Sequence, residues 1–353
     1  NTARQTGAGL GIQTASLFVA GETGSILGIV ENYNGTSWTE VADLTTARKA
    51  NTALGTTSAG LTAGGTIGPP GRYQTLNEIW NGSGWTEAGD LNTGRNSLSS
   101  AGTTTAGLVF SGVVSTGESA TNESWNGSAW TEVADLNTAR NNGTGGGIST
   151  SAILAGGLTT TPLAITETWN GSSWTEVSDL NSARSQTGGT AQNNTDAIVF
   201  GGRTPPGGDT VNTESWDGSS WTEVSDLATA RDQFQGSGAS NTSALAFGGS
   251  TPPYTNATEE WSFSGINPAT TPAADYSDAI VGQMYYNSTS GQFKAIKSGG
   301  APLGTWSSGA DLNTARKGSM GFGVLTANIV AGGNNPGGGT TWAVVEQYNG
   351  TAW

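Results

Sequence analysis

The chain has 353 residues, with 56 Gly, 13 Trp, no Cys and no His, and 13 basic against 27 acidic side chains give it a net charge of -14. Without Cys or His it has no disulfide, no thiol nucleophile, no His-based zinc or copper site and no imidazole general base. The negative balance argues against nucleic-acid and anionic-membrane partners, and no apolar run approaches the ~20 residues of a membrane-spanning helix.

Only 11% of residues are charged. A chain so rich in Gly, Ser, Thr and Asn resembles disordered sequences. Its Trp and its short Val/Ile/Leu runs recur at fixed intervals, however, and supply buryable surface. That predicts an all-β fold with tight turns.

Internal repetition organises the whole chain. Arg4, Arg48, Arg95, Arg140, Arg184, Arg231 and Arg316 close stretches of the type Asn-Thr-Ala-Arg. Each Arg is followed by a Gly/Ser/Thr-rich run and then a short apolar run. The apolar run ends in Gly64-Gly65, Gly156-Gly157, Gly201-Gly202, Gly248-Gly249 and Gly332-Gly333, and it degenerates to Gly21-Glu22 and Ser111-Gly112. A Glu-x-aromatic follows: Glu31/Tyr33, Glu78/Trp80, Glu123/Trp125, Glu167/Trp169, Glu214/Trp216, Glu259/Trp261 and Glu346/Tyr348. The last mark is a Trp, at 38, 85, 130, 174, 221, 306 and 353.

Each repeat reads as four strands, A to D. In the third, A lies near 97–103, B is AGLVFSG, C is TNESWN and D is AWTEVADL. Asn126-Gly127 between C and D predicts a two-residue type I′ hairpin, which needs positive φ at both positions. Asn-Gly recurs at 34–35, 81–82, 170–171 and 349–350, with Asp217-Gly218 in the fifth repeat. Four antiparallel strands in every repeat predict a seven-bladed β-propeller. The blades fall at about 1–47, 48–94, 95–139, 140–183, 184–230, 231–315 and 316–353.

The Gly-Gly after strand B, the Glu-x-aromatic and the later Trp resemble the kelch repeat across nearly the whole chain. The resemblance implies a propeller and little about function. In six repeats the strand C aromatic and the Trp are five residues apart, which is shorter than the usual kelch hairpin.

Glu and aromatic, at i and i+2, share a face of strand C. If the aromatic packs between blades, the Glu is drawn inward and needs a partner. The repeat supplies one Arg for each Glu, so seven structural ion pairs are expected rather than seven catalytic sites. An Asp before Leu (Asp43, Asp90, Asp135, Asp179, Asp226 and Asp311) is expected to organise the turn into the next blade.

The sixth repeat is longer, with an insertion at 263–304 between its strands C and D. The segment GQMYYNSTSGQFKAI within it reads as a hairpin turning at Asn287 to Gly291. It is similar to a short hairpin of phage tail-fibre and other virion proteins, and GTWSSGADLNTAR with NGSSWTE resembles kelch-like structural proteins of marine phages. Ile280, Met284, Tyr286 and Phe293 are its candidate partner-docking residues, since such apolar side chains on a protruding arm call for cover. The chain starts at Asn1 inside a repeat and stops at Trp353, where a strand D would begin. A continuing parent chain or a neighbouring segment is expected to complete the last blade.

Tests for chemistry give little. Ser215, Asp217 and Trp221 approach the Asp box of sialidase-like propellers, but Gly218 falls one place early. Glu22, Glu118, Asp196, Asp209 and Asp232 lie outside the repeat pattern and show no pairing of the kind glycoside hydrolysis uses. No metal site and no cofactor is expected. The Asn-x-Ser/Thr sequons are explained by turn chemistry.

What the repeats do not share is concentrated in the B–C connections. The segments 66–75, 203–211, 250–257 and 334–343 carry Arg72, Tyr73, Arg203, Tyr254 and Trp342 as candidate ligand-binding residues, because aromatic and cationic groups on stiff loops suit sugars and other polar ligands. The expected function is non-enzymatic: a phage virion protein, as tail fibre, appendage or capsid-associated propeller, acting in host attachment or particle assembly. Its partners would be other virion subunits, a host-surface glycan or further copies of itself. The alternative is a bacterial extracellular adhesin, lectin or surface-filament subunit, with a carbohydrate-active enzyme as the third reading.

Overall fold

A computed structural model of the chain describes residues 2–251 and 254–262, together with the backbone of five strands beyond them. Two compact units are present, Asn1–Thr270 and Thr271–Trp353.

The first unit is a β-propeller of six blades. The third blade pairs Ser99–Thr103, Ala106–Phe110, Asn122–Trp125 and Trp130–Val133 in an antiparallel meander, as strands A to D. Blades one, two, four and five have the same four-stranded order, and the sixth has three strands among the described residues, Gln235–Ser240, Ser243–Phe247 and Thr258–Ser262. The A strands, beginning with Ala8–Ile12 and Thr52–Thr56, succeed one another around the centre.

The core is a ring of interfaces between blades. Leu54 and Leu61 of the second blade pack with Leu98, Val109, Trp125 and Trp130 of the third. Trp125 and Trp130 face each other across the C–D pair, with ring centroids 5.1 Å apart. The Trp125 indole N–H donates to the Thr104 carbonyl in the A–B turn at 2.9 Å, and the Trp of strand C does the same in blades two, four, five and six. Blades one to five bury their aromatic pair on the preceding blade, and apolar burial of this kind is the main favourable term.

Six blades, not seven, close the ring. Phe247 of the sixth blade packs on Phe18 and Trp38 of the first, with centroids 5.1 and 4.9 Å apart. Ser237 and Ser16 share a hydrogen bond of 2.7 Å, and Gln13 Nε2 donates to the Trp261 carbonyl at 2.9 Å. Two main-chain circuits run through every blade. In one, the second residue of each Gly-Gly-type pair donates its N–H to the carbonyl of the next blade's repeat Arg: Gly21 to Arg48, Gly65 to Arg95, Gly112 to Arg140, Gly157 to Arg184, Gly202 to Arg231, and Gly249 back to Arg4. The other links the residues two places after each Arg: Ala50 to Thr6, Ser97 to Ala50, Asn142 to Ser97, Gln186 to Asn142, Gln233 to Gln186, and Thr6 to Gln233.

The seven-bladed expectation fails because every interface uses the same residues, so nothing in the repeat counts blades. Closeness of the A strands sets the number instead. A Cβ on Gly236 would come within 2.5 Å of the Gly189 backbone nitrogen, and one on Gly9 within 2.8 Å of the Gly236 carbonyl. Glycine at these points lets neighbouring backbones nearly touch around a narrow axis. The seventh repeat forms its own antiparallel sheet in the second unit, of Met320–Val324, Ala327–Ala331 and Val345–Tyr348. In the same unit Met284–Asn287 pairs with Gln292–Ala295 as a two-stranded hairpin.

Two local readings also change. The C–D connection is not a type I′ turn. Trp125 pairs with Trp130, so four residues connect them, and only Gly127 has positive φ. Asn126 serves through its side chain, whose Oδ1 accepts from the N–H groups of Ser128 and Ala129 at 2.9 Å each, an Asx turn. In the first blade the counterpart of Gly64-Gly65 is Ala20-Gly21 rather than Gly21-Glu22. Ala20 has φ 63 and Gly64 φ 65, and both Gly21 and Gly65 have φ above 100.

Candidate functional site

The repeat Glu and Arg lie inside the blades. Arg4–Glu31 at 2.5 Å, Arg48–Glu78 at 2.7 Å, Arg95–Glu123 at 2.9 Å, Arg231–Glu259 at 2.5 Å, Arg140–Glu167 and Arg184–Glu214 are ion pairs in the six blades. All six Arg are fully buried. Burial pushes each guanidinium pKa below its usual value, and the paired Glu opposes that shift.

Glu123 shows how such a carboxylate is used up. Its Oε1 accepts from Arg95 Nη1 and, at 3.3 Å, from Thr93 N; its Oε2 accepts from Asn92 N at 2.7 Å and Asn92 Nδ2 at 2.8 Å. Asn92 to Arg95 is the crossover from the second blade, so the Glu clamps that crossover onto the third. Glu167 and Glu214 bind Asn137 and Asn181 in the same way. Glu132 and Asp135, both exposed, also favour the charged form of Arg95. Asp135 Oδ1 accepts from Asn122 N, and Asp226 Oδ1 from Thr213 N. In blades three and five this Asp thus holds strand C of its own blade, not the turn into the next. Arg316 and the side chain of Glu346 lie outside the described residues.

The B–C connections leave the same face as the D–A crossovers. Arg72 and Tyr73 stand there on blade two, Arg203 on blade five and Tyr254 on blade six, so three blades share them and they form no single cluster. The Arg72 carbonyl accepts from Asn96 Nδ2 of the third blade at 2.8 Å. Arg203, exposed, lies 3.5 Å from Asp232 and 3.8 Å from Asp209. Asp232 is buried, and burial, reinforced by Asp209 and opposed by Arg203, raises its pKa to about 6. Sequence alone showed no link between Asp209 and Asp232, which are joined only by the packing of blade five on blade six. Trp342 and Ile280 lie outside the described residues. Met284, Tyr286 and Phe293 fall on the hairpin strands, where Tyr286 is directly opposite Phe293.

Between the blades, on the propeller axis, lies a cavity of about 230 Å³. The first residues of the inner strands line it in all six blades, so it belongs to the end of the axis nearer the B–C connections. The lining is Gly, Ser, Thr, Asn and Gln with Ala50, Ala53, Leu98 and Phe234, and it includes no ionisable side chain. Around it stand Thr6, Ala50, Ser97, Asn142, Gln186 and Gln233, the members of the second hydrogen-bonded circuit. All six are left-handed, with φ between 52 and 56. The sequence signal for this site is positional only: its six residues stand two places after the repeat Arg, and both they and their neighbours vary from blade to blade.

No known protein-family model matches this chain, and no curated protein matches it either.

Proposed function

We propose that this chain is a non-enzymatic recognition and assembly module of a phage particle, with the B–C face of the six-bladed ring turned to an external ligand. The observation that carries the recognition part is the lining of the axial cavity, which is polar, uncharged and assembled from six different blades. Neutral amides and hydroxyls suit hydrogen-bonded recognition, whereas acid–base work needs titrating groups beside the substrate. The repeat carboxylates of the six blades are committed to buried Arg partners and crossovers. The particle part rests on the likeness of Gly282 to Ile296 to virion hairpins and of the repeats to kelch-like phage proteins.

Mass spectrometry of purified particles tests the location: the protein is expected among the virion components. Finding it instead on bacterial surfaces or in culture medium favours an adhesin or lectin. A glycan array run together with a hydrolysis assay tests the activity. Binding without cleavage is expected, and turnover of a bound glycan overturns the reading.

A further inference from the structure

The six residues around the axial cavity stand out for their backbone. Left-handed φ is strained for residues with a side chain, least for Asn, and Gly adopts it freely. This chain has 56 Gly, yet none of the six positions is Gly. A second left-handed position in the same fold provides the comparison. At the first residue of the Gly-Gly-type pair, with φ between 58 and 69, four of six blades use Gly: Gly64, Gly156, Gly201 and Gly248. Where only the backbone matters, the chain mostly relaxes the strain. Around the cavity it keeps the side chain instead, and strain retained in this way marks a functional site.

The circuit itself is main chain to main chain and makes no demand on side-chain type. The side chains are therefore free to differ, and they differ in an ordered way. Blades one to three present Thr6, Ala50 and Ser97, which are small. Blades four to six present Asn142, Gln186 and Gln233, which are amides. One half of the mouth carries only small groups, among them the hydroxyls of Thr6 and Ser97, and the other carries amides. Asn142 Nδ2 is engaged by Asn141 Oδ1, which leaves its own Oδ1 for a ligand.

From these features we infer that the axial cavity holds one neutral sugar residue, with Asn142 and Gln186 as its specificity-determining contacts. The volume of about 230 Å³, open at its mouth, suits a single sugar ring rather than a larger ligand. With no cation in the lining, an anionic sugar would lose its hydration without gaining a counter-charge. Amides and hydroxyls replace the hydrogen bonds of a polyol one for one. The inference rests on reading the ring as a recognition module and names what that module takes.

The test uses the full chain and Gly substitutions, which delete the side chain and relieve the strain together. Gln186→Gly and Asn142→Gly are measured against wild type on an array of neutral, sialylated and uronic-acid glycans. Free methyl hexosides and N-acetylhexosaminides are then titrated by calorimetry. Wild type is expected to bind neutral termini. Each variant should lose at least tenfold in affinity while keeping an unfolding midpoint equal to or above that of wild type. Glu132→Gln, exposed on an outer strand and outside the cavity lining, should bind like wild type. Three results overturn the cavity assignment: neutral binding that survives both Gly substitutions, binding confined to charged glycans, or no glycan binding at all. Particle mass spectrometry separates these failures from failure of the broader reading, because a virion protein that binds no neutral sugar keeps its proposed location and loses only this site.

Discussion

Replacing Glu123 by Gln tests the view that the repeat carboxylates hold the blades together. Both oxygens of Glu123 are in use, Oε1 by Arg95 and Thr93 and Oε2 by the backbone and side chain of Asn92. Whichever oxygen becomes an NH₂ group, it then faces two donors. The guanidinium of Arg95, fully buried, also loses its counter-charge. Breaking a buried pair from one side costs about 3–5 kcal/mol. For a unit of this size that lowers Tm by on the order of 10 °C. Guanidinium titration followed by tryptophan fluorescence reads the loss, since Trp125 and Trp130 lie in the affected interface. Glu132→Gln is the control. Glu132 sits directly across the strand pair from Glu123 but is exposed, so its loss should stay within about 0.5 kcal/mol. Replacing both partners, as Arg95→Met with Glu123→Leu, should recover a large part of the deficit, because the uncompensated charge is gone. A Glu123→Gln cost below about 1 kcal/mol would refute the reasoning and place the carboxylate among dispensable contacts.

Asp232→Asn should be more stable than wild type near pH 7.5, by about 3 kcal/mol, and close to wild type at pH 4. The folded pKa of Asp232 is raised to about 6, so the native state keeps a proton that the unfolded chain releases, and stability falls as pH rises from about 4 through 6. Equal gains at both pH values in a thermal melt would rule out this origin. Asn126→Ala should cost about 1 kcal/mol by stranding two turn N–H groups, whereas Asn126→Asp should be nearly neutral in chemical denaturation. Asp217 already makes the same bonds in blade five, where Oδ1 accepts from Ser219 N at 2.9 Å and Ser220 N at 2.8 Å. Expressed alone, residues 1–270 should unfold in one cooperative transition, since the ring closes from Gly249 to Arg4 and from Thr6 to Gln233. A molten fragment without near-ultraviolet circular dichroism would show that the closure needs the rest of the chain.

Local chemistry was legible in the sequence because each strand advertises itself. A short apolar run ending in a Gly-Gly-type pair marks strand B, and Glu-x-aromatic marks strand C. Asn-Gly marks the C–D turn, although the structure uses the Asn side chain rather than its φ, a distinction that composition does not carry. Tertiary packing decided what identical repeats leave open. Trp85, Trp130, Trp174 and Trp221 read alike, yet the number of such interfaces in one ring depends on how closely the Gly-bearing inner strands approach, as at Gly189 and Gly236. The same closure placed six scattered residues, Thr6 to Gln233, around one cavity and set Asp209 beside Asp232. A repeat specifies its own blade and half of each interface through short-range pattern. Ring size and axial cavity arise from distances between backbones far apart in the chain, which no residue encodes singly.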